Sequence, residues 1–225
     1  MAKPIFNITP FTLLDYPNKS ACIFWYAGCN MRCLYCYNPE IVLGKGKLSF
    51  AEAISFLGGR IGLLEAVVFS GGECLIHKNI IEQIRTVKAM GFLVKVDTNG
   101  SRPDILKQLI TEKLIDYVAL DFKATKKRYQ YITQSDFFLS FEQSLKILQK
   151  SSLPFEIRTT YHSKLISIDD FNEMIAYLEI QQYSGNYYLQ SFRNNVETLT
   201  ALPFSIKINV KQIKASQNTT VVFRD

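Results

Sequence analysis

Short runs of β-branched and aromatic residues recur along the chain, and each is followed by a stretch whose apolar positions repeat at helical spacing. Six runs read as strands: Ala21 to Tyr26, Ala66 to Ser70, Leu93 to Asp97, Tyr117 to Phe122, Phe155 to Tyr161, and Asn186 to Gln190. Helix starts stand between them. Ser49 with Glu52, Ser140 with Gln143, and Ser167 with Asp170 each put a hydroxyl cap three residues before a polar acceptor, and Pro103 suits the first turn of another helix. Gly91 after Met90, and Gly58 with Gly59, suit left-handed C-caps.

This alternation predicts an α/β fold with a parallel sheet. Six units are fewer than the eight of a closed barrel, yet open sheets and barrels alike carry their sites at the carboxyl ends of parallel strands. The polar and glycine-rich stretches fall there: Gly28 to Cys36 after the first strand, Gly71-Gly72-Glu73 after the second, Thr98-Asn99-Gly100 after the third, and Asp121 to Lys123 at the end of the fourth. All are expected on one rim. No composition shift or low-complexity stretch divides the chain, so residues 1–225 read as a single domain.

At 225 residues the chain is long enough to bury roughly 70% of the surface it exposes when unfolded, so its core needs no disulfides. Its five cysteines, odd in number and crowded at Cys29, Cys33 and Cys36, suit reduced thiols holding a metal. No secretory pattern begins the sequence, which leads us to expect a cytoplasmic protein. Glu65 and Asp116 interrupt the most apolar stretches, so no membrane span is expected. The formal charge of +6 reads as a solubility feature. The densest basic run, Lys123 to Arg128, is broken by Ala124 and Thr125 and argues against nucleic acid as a partner.

Cys29, Cys33 and Cys36 form C-x-x-x-C-x-x-C on a loop after a buried strand. Structural zinc usually takes four protein ligands, and clusters used only for electron transfer are normally held by four cysteines. Three thiolates on a [4Fe–4S] cluster leave one iron open to a substrate. A zinc or four-cysteine site completed by Cys74, Cys22 or His77 is the alternative on spacing alone.

The cysteine loop, with Tyr35 just before Cys36, resembles the signature of the radical S-adenosylmethionine (SAM) superfamily. Ser70-Gly71-Gly72-Glu73 resembles that superfamily's GGE motif, where backbone meets the amino group of SAM, a task glycine suits because it has no Cβ. The glycyl-radical-enzyme activases are the closest branch. Leu14-Asp15-Tyr16-Pro17, Cys36-Tyr37-Asn38-Pro39-Glu40, Asp97-Thr98-Asn99-Gly100, Asp121-x-Lys123 and Tyr188 through Arg193 all resemble it. The likeness is strongest to anaerobic ribonucleoside-triphosphate reductase activating proteins and next to pyruvate formate-lyase activating enzymes. Two positions depart from the branch: Tyr37 is commonly histidine and Cys74 commonly proline. Cys74 reads as a small neutral thiol packed in place, and Cys22 as a core residue.

The resemblance implies a partial (β/α)6 TIM-like barrel, with Cys29, Cys33 and Cys36 on the cluster and Tyr35, Gly71, Gly72, Glu73, Asn99, Asp121 and Lys123 at SAM. Asp121 and Lys123 are two apart and leave the sheet on one face. Arg158 and Thr160 share that parity, and the planar fork of Arg158 suits a carboxylate clamp. Asp97 and Thr98 match positions where pyruvate formate-lyase activating enzymes hold a monovalent cation beside SAM. His77 and His162 read as packed residues.

The implied activity is reductive cleavage of SAM and removal of a glycine Cα hydrogen from a large glycyl radical enzyme, with flavodoxin or ferredoxin as electron donor. A barrel short of two strands leaves a lateral opening for a protein loop. The competing expectations are a radical SAM enzyme acting on a small molecule, in the manner of 7-carboxy-7-deazaguanine synthase, and a non-enzymatic iron–sulfur or zinc binding module.

Overall fold

The computed structural model describes residues 3–224. Eight strands form one sheet whose spatial order is the order of the chain: β1 (Ile5–Thr12), β2 (Ala21–Tyr26), β3 (Ala66–Gly71), β4 (Leu93–Thr98), β5 (Tyr117–Asp121), β6 (Phe155–Tyr161), β7 (Gly185–Ser191) and β8 (Thr219–Arg224). The strands β2 to β7 are the six read from the sequence, and they pair in parallel. Two strands were not expected. β1 pairs antiparallel with β2, and β8 adds in parallel to β7 after a long excursion. β1 holds Pro10 and has one fully buried residue, as suits an edge strand.

Helices α1 (Pro39–Leu43), α2 (Phe50–Gly58), α3 (Ile80–Ala89), α4 (Pro103–Thr111), α5 (Lys126–Thr133), α6 (Phe138–Gln149) and α7 (Ile168–Ile180) fill the connections. Ser49 and Ser167 each close a capping box, and Pro103 opens α4. Ser140 does not cap. It lies inside α6, which starts two residues earlier because Phe138 and Phe141 bury their rings there, and this burial outweighs the missing cap at Phe137. Gly91 takes φ +92 as expected, whereas Gly59 ends α2 at φ −81 and the left-handed residue is Gly62.

The two faces of the sheet differ. Outward residues such as Phe24, Phe69, Val96, Leu120 and Ile157 join the main apolar core under the helices. Inward residues form a small apolar plug, where Tyr16 packs with Ala21, Ile23, Ala66 and Val68. Above that plug the inner face carries Lys95, Asp97, Asp121, Glu156 and Arg158, because alternate residues of a strand point the same way. Polar groups therefore collect at the carboxyl ends of the strands. Among the described residues no helix is long and apolar enough to cross a membrane.

Candidate active site

The loop after β2 begins at Gly28, whose φ of +86 turns the chain across the strand ends. Gly28 donates to the Ile41 carbonyl at 2.8 Å and accepts from the Glu73 amide at 3.0 Å. The loop then leans on the last turn of α5, where Arg32 N and Leu34 N donate to the carbonyls of Thr133 and Ile132. Leu199, far along the chain, donates its amide to the Cys36 carbonyl at 3.0 Å.

So held, Cys29, Cys33 and Cys36 line a single cavity of about 330 Å³ at the rim. The other two cysteines face elsewhere. Cys22 sits on the outer face of β2, and Cys74 lies buried with its sulfur 3.6 Å from the carbonyls of Phe69 and Asp97. Burial pushes the Cys29 thiol up to about 11, Cys33 to about 12 and Cys74 well above its usual value. Cys29 and Cys33 thus hold their protons at neutral pH, and a bound metal would have to displace them. Cys29 alone among the three accepts N–H···S contacts, from Met31 N at 3.4 Å and Asn99 Nδ2 at 3.9 Å.

Among the described residues no three His, Cys, Asp or Glu side chains converge on one ion position. The alternative fourth ligand His77 is engaged as well, its Nε2 pairing with the Ala27 carbonyl at 2.9 Å, while His162 packs away from the loop with Nε2 3.1 Å from the Pro203 carbonyl. Three thiols lining one cavity would suit a multi-iron cluster.

The glycine pair is fixed by close approach. A Cβ on Gly71 would lie 2.3 Å from the Tyr26 carbonyl oxygen, and one on Gly72 would lie 2.0 Å from that of Gly28. Both line the cavity with backbone. The Glu73 carboxylate turns away from it, taking hydrogen bonds from Asn99 N (2.7 Å), Thr98 Oγ1 (2.9 Å) and Leu75 N (3.1 Å). Glu73 and Thr98 therefore support the rim from beneath. Burial raises Glu73 to about 7, although those donors pull the other way.

A buried ion network forms the far wall. Asp121 Oδ2 is 2.9 Å from Lys123 Nζ, as their shared parity predicted, while Phe122 between them stacks on Phe141 in the core. Arg158 spends its fork on two protein carboxylates, with Nε 2.6 Å from Asp121 Oδ1 and Nη2 3.2 Å from Asp97 Oδ2. Burial opposes the charge on Asp97, yet Arg158 and Lys95 hold its carboxyl at about 2. The same opposition, with Arg158 and Lys123 as the cations, leaves Asp121 below the usual range. Tyr35 is buried at the cavity edge and its hydroxyl reaches the Lys123 carbonyl.

Lys95 and Trp25 also belong to this wall or its mouth and were not singled out from sequence, while Asp15 and Arg193, which join them there, were noted only within motifs of the resemblance. Lys95 carried a signal: a lysine inside the apolar run Leu93-Val-Lys-Val, two residues before Asp97 and on its face.

The sequence profile of the Radical SAM superfamily matches residues 23–199. The chain belongs to that superfamily and is a radical SAM enzyme; membership implies SAM and a [4Fe–4S] cluster as cofactors. A protein of Methanocaldococcus jannaschii, provisionally named a glycyl-radical enzyme activating enzyme, is 34% identical over 174 residues, covering 75% of this chain and 72% of its own. The pyruvate formate-lyase-activating enzyme of Clostridium pasteurianum is 30% identical over 132 residues, 53% of this chain and 52% of its own. A protein of Methanothermobacter thermautotrophicus, provisionally named a GTP 3',8-cyclase, is 28% identical over 113 residues, 48% of this chain and 37% of its own. Among solved structures, SuiB of Streptococcus suis superposes with a TM-score of 0.64 at 14% identity, over 90% of this chain and 48% of its own, a likeness of fold. The chain thus spans about half the length of that structure.

Proposed function

We propose that this protein is an activase that cleaves SAM reductively and removes a Cα hydrogen from a glycine of a partner glycyl radical enzyme. The observation that carries the reading is the sorting of the cysteines: Cys29, Cys33 and Cys36 face the cavity, and Cys22 and Cys74 do not. Cys29, Cys33 and Cys36 would hold a [4Fe–4S] cluster. The bound pair would supply one-electron reductive cleavage of SAM's bond between sulfur and the 5′ carbon, the electron coming from the external reductant, and with it the removal of a hydrogen atom.

The chain's own residues do the positioning. The backbone of Gly71 and Gly72, which lines the cavity, would receive the amino end of SAM. Asp121 and Lys123, which line the cavity, would take the ribose and carboxylate side of SAM, with Tyr35 and Asn99 toward the cluster. Arg158 acts through the two aspartates it bridges. Fixing SAM beside the thiolates makes the electron step intramolecular.

The activase reading draws on the relatives from Methanocaldococcus and Clostridium and on the sheet edges, where β1 and β8 end without pairing to each other. Two unpaired edges would leave a side on which a protein loop could approach the strand ends. The partner is an anaerobic ribonucleotide reductase or a pyruvate formate-lyase-like enzyme, the reductant flavodoxin or ferredoxin, and the compartment the cytoplasm. The single continuous sheet supports reading residues 1–225 as one domain.

Electron paramagnetic resonance tests this directly. Reduced, reconstituted protein with SAM and a candidate partner should give a glycyl doublet, and replacing Cys29, Cys33 or Cys36 by alanine should abolish the iron and sulfide content together with the doublet. Productive turnover on a nucleotide with no partner would replace the activase reading by the small-molecule one. Zinc without sulfide would end both.

A further inference from the structure

The ion network contains one member that the proposed chemistry leaves unused. Lys95 lies on β4, two residues before Asp97, and both side chains leave the same face of the strand. Its side chain is 2% exposed. The ammonium is 3.0 Å from Asp97 Oδ1 and donates to the Asp15 carbonyl at 2.6 Å. The other Asp97 oxygen, Oδ2, accepts from Ser70 Oγ at 3.0 Å and faces Arg158 Nη2 at 3.2 Å.

A monovalent cation beside SAM, which the resemblance to pyruvate formate-lyase activating enzymes implies, needs oxygen ligands around a carboxylate. Here the carbonyl that would serve as a ligand already accepts from the Lys95 ammonium, and Asp97 Oδ1, which makes no hydrogen bond among the described residues, meets that ammonium by charge at 3.0 Å. The network also counts three cations, Lys95, Lys123 and Arg158, against two carboxylates, Asp97 and Asp121. A further positive ion at Asp97 would meet two like charges already in contact with it, so the site does not fit one.

We propose that the Lys95 ammonium occupies the place of a monovalent cation at Asp97, so that the cavity is held in shape, and SAM bound, without an added ion. The first half concerns the protein alone; the second rests on the radical SAM reading. Lys95 is in these terms a positioning residue, acting on SAM through Asp97.

Thallium(I) is the probe, followed by its own nuclear magnetic resonance signal in tetramethylammonium buffer with protein carrying neither cluster nor SAM. Wild type should show no saturable thallium site, and Lys95→Met should gain one. With reconstituted protein, SAM affinity should be the same in potassium and tetramethylammonium for wild type and Lys95→Arg. For Lys95→Met it should rise about tenfold when potassium is added, a usual scale for coupling between two bound ligands. One thallium ion per wild-type chain, lost in Asp97→Asn, would overturn the proposal, as would a folded Lys95→Met that gains no site. Should Lys95→Met fail to fold, the wild-type titration against Asp97→Asn decides. Failure of wild type to bind SAM in either buffer would sink the cofactor reading and leave the thallium result standing.

Discussion

Asp121 and Arg158 stand opposite each other in the register between β5 and β6, and Arg158 Nε donates to Asp121 Oδ1 at 2.6 Å. Because the same guanidinium also reaches Asp97 on β4, one side chain ties three strands at the level of the cavity. Arg158→Leu leaves two largely buried carboxylates short of a partner, which should cost about 3 kcal/mol in urea unfolding. Arg158→Lys restores charge without the fork and should recover only part of the loss. Equal stability of Arg158→Leu and wild type would show that the bridge carries no net weight.

Glu73 gives a pH dependence with a definite sign. Its unfolded value is 4.5 and its folded value about 7, so between the two the folded chain holds more protons than the unfolded one. Stability contributed by the protonated carboxyl is complete below 4.5 and falls as pH rises toward 7. Glu73→Gln should flatten that slope when unfolding midpoints are compared across the interval. An identical slope in both proteins would place the proton elsewhere.

Gly72→Ala puts a methyl group against the Gly28 carbonyl, backbone that cannot swing aside. The rim and the cysteine loop must separate to make room. A loss of about 2 kcal/mol is expected, lowering the melting temperature by about 4–8 °C. Iron retained after reconstitution should fall as well, because the displaced loop carries Cys29.

Asn99 reaches Cys29 Sγ and Asn30 Oδ1, and Asn30 in turn donates to Ser101 Oγ at 2.8 Å. Hydrogen bonds to a cluster sulfur raise its reduction potential. Asn99→Ala should therefore shift the midpoint to more negative values in a redox titration followed by paramagnetic resonance. A shift to more positive values would contradict the contact.

The parts of the site legible in the sequence were those fixed by local spacing. The three cysteines lie within eight residues, Asp121 and Lys123 share a strand parity, and the capping serines of α2 and α7 signal over three positions. Features decided by distant packing were not legible. β8 pairs in parallel with β7 only after the chain has travelled from Phe192 to Asn218, and nothing local announces that pairing. The start of α5 registers in the sequence only as a basic run, yet Tyr129, Ile132 and Thr133 bury one side of the helix under the cysteine loop. Arg158 was read as free to clamp a ligand carboxylate; the aspartates that occupy its fork lie on neighbouring strands, so only the folded sheet brings them together.

The hydrogen bond from Leu199 to Cys36 joins one of the earliest parts of the site to one of the latest to leave the ribosome. Roughly 160 residues lie between them, and synthesis at about 5–20 residues per second spaces their emergence by on the order of ten to thirty seconds. During that interval β2 can pair with β3 and the cysteine loop can form, but Cys36 still lacks its last backbone partner. Metal delivered while the chain is growing would thus meet a more open loop than metal delivered to the finished protein, and the segment around Leu199 would then secure what had been loaded.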